Sequence, residues 1–213
     1  MEAIENFQHF TTHHCVTGSQ RHLYAFHDYP ISEEMPLGLG AGVGFVYWHM
    51  KGTLPFLGGR ANTGRPGEEG MEKTAGRRTG VAVELLRTGS AAKAEKALLQ
   101  QLAAGQPVML VVDMGFLPYF DFGGEEFHFG YHVIVACGYN PEARQVLIAD
   151  RDEALHPISL EDLAKARGST YQPFPPQHGW YTFDFSQKHP PEAAEVWRAI
   201  AEAAHGMLQP PIT

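Results

Sequence analysis

Long apolar runs are missing from this 213-residue sequence. No stretch approaches the roughly 18 apolar residues of a membrane span, so no membrane partner is expected. Positive charge is in deficit, with 16 Lys and Arg against 24 Asp and Glu and a net charge of −8. That balance argues against nucleic acid or an anionic lipid surface as the partner. Cysteine is scarce: Cys15 and Cys137 stand alone and make no disulfide framework. The opening residues, Met1-Glu2-Ala3-Ile4-Glu5-Asn6, are acidic and lack the basic-then-apolar order of a secretory signal. The expected location is therefore cytoplasmic, where both thiols stay reduced. No internal repeat is visible.

Two tempting signals fail on spacing. In Gly38-Leu39-Gly40-Ala41-Gly42-Val43-Gly44 the glycines alternate. This is neither the dinucleotide fingerprint nor the Gly-Lys-Ser/Thr of a phosphate loop, and close backbone packing is the expected use. The chain has 12 histidines, and His9 and His13 have i, i+4 spacing, but no third ligand joins them at a zinc spacing. No metal and no other cofactor are expected.

What is present is an ordinary globular composition, 44% hydrophobic and 19% charged, at a length that favours one domain. A helix is expected from Cys15 to about Tyr29, stopped by Pro30, with Leu23 and Phe26 on its buried stripe. A second helix start is expected at Ser32-Glu33-Glu34, and a strand at Phe45-Val46-Tyr47-Trp48. Residues 51–80 read as a long, partly ordered loop with a short helix. Ala91–Ala104 is a helix by composition, closed by Gly105. Apolar runs predict strands at 108–112, 132–138 and 145–150, followed by a helix capped by Ser159, a strand at 180–185 and a helix from Pro191 to about Met207. Helices first, then mostly hairpin-connected strands, then a helix, make an α+β pattern.

The chemistry concentrates in a hairpin. Two apolar runs flank Gly138-Tyr139-Asn140-Pro141, and a turn centred on Pro141 puts His132 directly opposite Asp150. Opposed residues share a face with Cβ atoms about 5 Å apart, so the carboxylate can accept a hydrogen bond from the imidazole. Alternation puts Cys137 on the other face with Val133 and Val135, in the core. Cys15 instead opens a helix, where the dipole favours a thiolate. Nucleophile, base and orienting carboxylate together are the parts of a thiol enzyme. The bland alternative is a buried cysteine and a structural His–Asp pair.

The Cys-opened helix, the strand that begins with His132 and leads to Gly138-Tyr139-Asn140, and the Ile148-Ala149-Asp150 strand end resemble the papain-like superfamily. The hairpin is similar to that of bacteriocin-leader-cleaving cysteine peptidases. The segments His14-Cys15-Val16-Thr17-Gly18-Ser19, Ser32-Glu33-Glu34-Met35, Gly38 through Trp48, and Asp150-Arg151 resemble the N-terminal domain of butirosin biosynthesis protein H. This likeness covers about His14 to Phe185. It implies an α+β, papain-like fold, with N-terminal helices packed on a mostly antiparallel sheet, over residues 1–185, and a C-terminal helical extension of the same domain over 186–213. The namesake transfers an acyl group from a carrier protein to an aminoglycoside amine. Carried over, Cys15 accepts the acyl group as a thioester, His132 is general base and acid, Asp150 orients His132, and the substrate is a small molecule or acyl-carrier-bound.

Papain-like enzymes place a Gln about six residues before the cysteine as oxyanion donor. Here that position is His9, with Gln8 beside it, and both are candidates alongside the Cys15 amide. Phe45, Tyr47, Trp48 and Arg60 are candidates for a substrate groove. The aromatic, glycine-broken segment from Met114 to Gly130 has the character of a substrate loop, and Asp113 and Asp121 at its edge are expected on the surface. Three functions stay open at this point: an acyltransferase, a cysteine peptidase or amidase acting on a small substrate, and a catalytically inactive ligand- or partner-binding protein of the same fold.

Overall fold

The computed structural model describes residues 1–49, 55–60, 69–124 and 126–209, apart from the side chains of Trp48 and Arg60. In chain order the elements are α1 (Cys15–Phe26), α2 (Glu34–Leu39), β1 (Val43–Trp48), β2 (Phe56–Arg60), α3 (Met71–Arg78) and β3 (Ala82–Leu86). They continue with α4 (Ala91–Ala103), β4 (Val108–Val112), β5 (His132–Asn140), β6 (Gln145–Ala149), β7 (Leu155–Ser159), α5 (Leu160–Gly168), β8 (Trp180–Asp184) and α6 (Ala193–Leu208). The class is α+β, as expected. Two compact units emerge, one of Met1–Pro30 with Glu84–Thr182, the other of Ile31–Val83 with Phe183–Thr213.

The first unit holds a six-stranded sheet in the order β3-β8-β4-β5-β6-β7. The pairs β4–β5, β4–β8, β5–β6 and β6–β7 are antiparallel. One face carries Leu110, Val112, Ile134, Ala136, Val146 and Ile148, packed with Leu98 and Leu102 of α4 and Leu160 and Leu163 of α5. The alternating residues Met109, Val111, Val133 and Val135 are equally buried, and α1 packs on β4 and β5. Strands covered on both faces read as unbroken apolar runs, which is why β4 and β5 stand out in the sequence.

Burial explains α1 as well. Val16 through Gln20 and His22 through Tyr24 are all buried, so the helix has no solvent stripe of the usual kind. It ends at Phe26, short of Tyr29, and Phe26 is only half-buried; the expected Leu23–Phe26 stripe is replaced by burial nearly all round. At Gly18 a methyl group would collide with Thr12, so the entering chain lies directly on the helix. That entering segment is not helical, so His9 and His13 do not share a helix face.

The β5–β6 hairpin departs from the expected register. Its closing pair is Asn140↔Gln145, with a four-residue loop instead of a turn centred on Pro141. Asn140 Oδ1 accepts the backbone N–H groups of Glu142 and Ala143, both at 3.0 Å, an Asx arrangement that the Gly-Asn-Pro reading overlooked. A bulge lies between Ala136 and Gly138, where the Cys137 carbonyl accepts the Ile4 N–H at 2.7 Å. Below the bulge Val135 pairs with Ala149 and Ala136 with Ile148, which by continuation sets Asp150 opposite Ile134. His132 and Asp150 are thus diagonal neighbours on one face, not direct partners.

Strands β2, β3 and β7 were not expected. β2 lies inside the stretch read as a loop, and the remainder of that stretch up to residue 68, like residue 50, falls largely outside the described residues. The expected cap at Ser159 is present: its hydroxyl accepts the Asp162 N–H at 3.0 Å. The last helix begins at Ala193, after Pro191, with Glu192 as its N-cap residue.

In the second unit β1 and β2 form an antiparallel pair beside α2, α3 and α6. Gly40 and Gly42 lie against Met71 with no room for a β-carbon, so the glycine-rich block is used for close packing. Arg78 is fully buried and ties three segments together. It donates to the Leu39 carbonyl at 2.5 Å, to Glu195 at 3.1 Å and to Glu202 at 2.7 Å. No described helix is long and apolar enough to cross a membrane.

Candidate active site

Cys15 is the first residue of α1, and the helix starts there because His14 caps it. His14 has extended backbone geometry, and its Nδ1 accepts the Thr17 N–H at 3.4 Å. The cap holds Cys15 at the positive end of a buried helix, where anionic sulfur is favoured.

His132, the first residue of β5, stands close enough to the Cys15 thiol to act on it through hydrogen bonding and charge. His132 Nε2 lies 2.7 Å from Asp150 Oδ2, which leaves Nδ1 for the sulfur. Burial on its own raises the Cys15 pKa. The His132 hydrogen bond and charge, the Val133 N–H and the charge of Arg151 outweigh it and hold the thiol below its ordinary value. Burial works against His132 as well. Hydrogen bonds to Asp150 and Cys15, with their charges, overcome it and push the imidazole up to about 9. Burial raises Asp150, whereas the bond and charge of His132, the charge of Arg151 and the Tyr119 hydroxyl bring it below its usual value. All three shifts favour a thiolate, an imidazolium and a carboxylate at neutral pH, titrating as a coupled set.

Asp150 is fully engaged. Oδ1 accepts the Arg151 backbone N–H at 2.8 Å, and Oδ2 takes the Tyr119 hydroxyl at 3.0 Å besides His132. Tyr119 stacks on His156 with ring centroids 3.9 Å apart, and His156 Nε2 is 2.9 Å from each carboxylate oxygen of Asp152. Phe120 meets the His132 ring edge-on at 5.6 Å. Tyr119 and Phe120 come from the loop between β4 and β5, and Asp113 secures that loop.

Asp113 is fully buried, correcting the surface position expected for it. It accepts the N–H groups of Gly115 and Phe129, both at 3.0 Å, and the Ser169 hydroxyl at 2.5 Å, with His128 Nδ1 at 2.9 Å. A carboxylate with that many donors is stable out of water, and it pins both ends of the loop.

A groove of about 310 Å³ opens beside these groups, lined by Thr12, His13, Tyr119, Phe120, Asp150, Arg151 and Asp152. Of the groove residues expected from sequence, Phe45 and Tyr47 lie exposed on β1 in the second unit. Trp48 and Arg60 belong to β1 and β2, and their side chains lie outside the described residues.

Of the oxyanion candidates, Gln8 is exposed. His9 stacks on His22 with centroids 5.5 Å apart, and its Nε2 is buried without a partner. His22 itself is structural. Its Nε2 accepts the Phe10 N–H at 3.0 Å, and Nδ1 donates to the Gly18 carbonyl at 2.7 Å. Burial brings its pKa down to about 4, so the ring stays neutral and fastens residues 7–10 to α1.

Cys137 is fully buried in the core, and burial pushes its thiol up to about 12. It is not a competing nucleophile. Among the described residues no group of three or more His, Cys, Asp or Glu side chains is placed to hold a metal ion. Asp113 and Arg151 were not recognised as site residues from sequence, and Tyr119 was legible only as part of the aromatic segment from Met114 to Gly130. Tyr119 and Asp113 are distant in sequence from Asp150, so their place beside it had no local signal, whereas the Asp150-Arg151 dipeptide was visible.

No curated protein matches the chain. A family match covers residues 14–151, from the cap of α1 to the arginine after Asp150, and contains Cys15, His132 and Asp150. The chain belongs to the family of butirosin biosynthesis protein H, N-terminal.

Proposed function

We propose that the protein is a papain-like thiol enzyme, an acyltransferase of the butirosin biosynthesis type, that forms an acyl-thioester on Cys15. What supports this reading is the bonded His132–Asp150 pair beside Cys15 at the start of α1, in a chain that belongs to this family. Cys15 thiolate attacks the carbonyl carbon of an acyl donor. The tetrahedral intermediate collapses, and His132 Nδ1–H delivers its proton to the departing group, leaving the acyl group on sulfur. An acceptor amine then attacks the thioester carbonyl, His132 Nδ1 takes the amine proton, and Cys15 leaves as thiolate. Asp150 keeps the imidazole oriented and stabilises its charged form through both halves. The Cys15 amide, at the helix start, is the proposed oxyanion donor, with His9 of the entering segment as the second candidate.

The test is the pH dependence of Cys15 alkylation by iodoacetamide in a Cys137→Ser background, with His132→Ala as control. Rapid alkylation well below pH 7, lost in the control, is the expected result. A rate that follows an ordinary thiol near 8.5 would leave a binding protein on this fold. Transfer is separated from hydrolysis by trapping the acylated Cys15 by mass spectrometry, then adding amine or only water.

A further inference from the structure

Among the described residues, the side chain of Arg151 makes no hydrogen bond. A guanidinium offers five N–H donors. None of those on Arg151 finds an acceptor among the described residues, and its Nε is buried and unpartnered. Its nearest carboxylate is not a substitute. Nε stands 3.7 Å from Asp150 Oδ1, beyond a hydrogen bond, and the Asp150 oxygens already accept His132, Tyr119 and the Arg151 backbone N–H. The other acid on the groove, Asp152, has both oxygens on His156.

The group is nonetheless held in place. Its carbonyl accepts the Thr12 N–H at 2.8 Å, its N–H is bound to Asp150, and the guanidinium carbon sits 6.0 Å from the centre of the Phe120 ring. The side chain is 38% exposed and lines the groove together with Asp150 and Phe120. A buried donor without an acceptor is costly, and a fixed, planar fork is suited to a carboxylate. The Phe120 ring beside the guanidinium also meets the His132 ring edge-on at 5.6 Å, and Asp150, the preceding residue, is bonded to His132, so an anion bound to Arg151 lies near these groups.

We propose that Arg151 is a specificity residue that binds a carboxylate carried by the acyl donor close to the carbonyl that Cys15 attacks. This rests on the thiol-enzyme reading above. An acyl donor with a carboxylate near its reacting carbon is then preferred over its amide or methyl counterpart.

The experiment compares two reagents of nearly equal size, iodoacetate and iodoacetamide, on the full chain at pH 7. In both, Cys15 thiolate displaces iodide and a carbon–sulfur bond forms, so the rate ratio reports only on the carboxylate. Loss of the arginine charge also weakens the thiolate, but that affects both reagents and cancels in the ratio. In Arg151→Gln the iodoacetate-to-iodoacetamide ratio at the Cys15 peptide should fall roughly tenfold or more, the worth of a charge-assisted hydrogen bond. In Arg151→Lys, which keeps the charge and loses the fork, the ratio should fall to an intermediate value. An unchanged ratio in both variants overturns the inference while leaving an activated Cys15 intact. A ratio that falls in the glutamine variant and not in the lysine variant overturns the carboxylate fork in favour of charge alone. Slow alkylation of the unaltered chain by iodoacetamide would instead refute the thiol-enzyme reading, and this inference with it.

Discussion

His132 Nε2 and Asp150 Oδ2 stand 2.7 Å apart although the two residues are diagonal rather than opposite across the β5–β6 hairpin. Diagonal Cβ atoms are about 7 Å apart, a gap that an imidazole and a carboxylate reaching toward each other close. The contact is buried at both ends, with side-chain exposures of 2% and 3%, so water does not compete for it. Removing the charge from one end should therefore be felt at the other. Asp150→Asn should lower the His132 pKa from about 9 toward or below the ordinary histidine value. Cys15 alkylation at pH 6 should then slow by about a hundredfold, the scale of a lost acid–base partner. Alkylation profiles of the two proteins that coincide would remove Asp150 from the site.

Tyr119→Phe keeps the ring stacked on His156 and deletes only the hydroxyl that donates to Asp150. Asp150 then has one donor fewer sharing its charge and holds the His132 proton more firmly. The alkaline limb of the pH profile, set by His132 near 9, should move upward. Tyr119→Leu, which loses the stack as well, separates this effect from packing. A hydroxyl with no role in positioning would leave the limb where it is in the phenylalanine variant.

Asp113→Ala should be strongly destabilising. It takes the acceptor from the buried Ser169 hydroxyl and from the part-buried backbone N–H groups of Gly115 and Phe129, and releases His128. Each orphaned donor costs about 1–3 kcal/mol, so a loss of roughly 3 kcal/mol or more in urea unfolding is expected. Proteolysis should then find new cleavage sites between residues 114 and 130. A loss under about 1 kcal/mol would show that the loop is held by other contacts.

Asp150 also gives the fold a dependence on acid. Its native pKa lies below the ordinary value of 3.8, so the native state binds this proton less readily than the unfolded chain does. The stabilisation it provides is complete above the unfolded pKa and is lost as pH falls through the native one. Unfolding free energy measured between pH 5 and about 2 should fall less steeply in Asp150→Asn than in the unaltered chain. Parallel curves would contradict the depressed pKa.

Arg78 offers a test of the second unit alone. It is fully buried and bound to Leu39, Glu195 and Glu202. Arg78→Ala leaves Glu195 with only Arg198, takes this partner from Glu202 and empties a large volume. Because both carboxylates are partly exposed, the emptied volume and the Leu39 carbonyl set the cost, about 2–5 kcal/mol. Loss of α6 helicity on circular dichroism should accompany it, because Glu195 and Glu202 are both on α6.

Local patterning was enough for the elements whose signals are short-range. The apolar runs of β4, β5 and β6, the helix at Ala91–Ala103, the Ser159 cap and the helix opening at Cys15 follow from residue types a few positions apart. Alternation along β5 was also enough to put Cys137 in the core, where burial has raised its pKa. Alternation along the hairpin put His132 and Asp150 on one face. The register was predicted two residues out, and the shared face survived because the error was even. The bulge near Cys137, where the Ile4 N–H bonds to the Cys137 carbonyl, compensates for the longer loop at Asn140.

What the chain order does not reveal is decided by approach in three dimensions. Tyr119 reaches Asp150 across 31 positions, and Ser169 reaches Asp113 across 56. No periodicity encodes either contact, because each depends on how a loop is folded back at the ends of the strands. Burial of Asp113 has the same origin: its type and its neighbours read as surface, and only the donors gathered from 115, 128, 129 and 169 make its burial affordable. The position of Cys15 at a helix start and the shared face of His132 and Asp150 are therefore determined by sequence. The hydroxyl that braces the carboxylate and the guanidinium that faces the groove are determined by tertiary structure, since hydrogen bonds and charge act through distance in space.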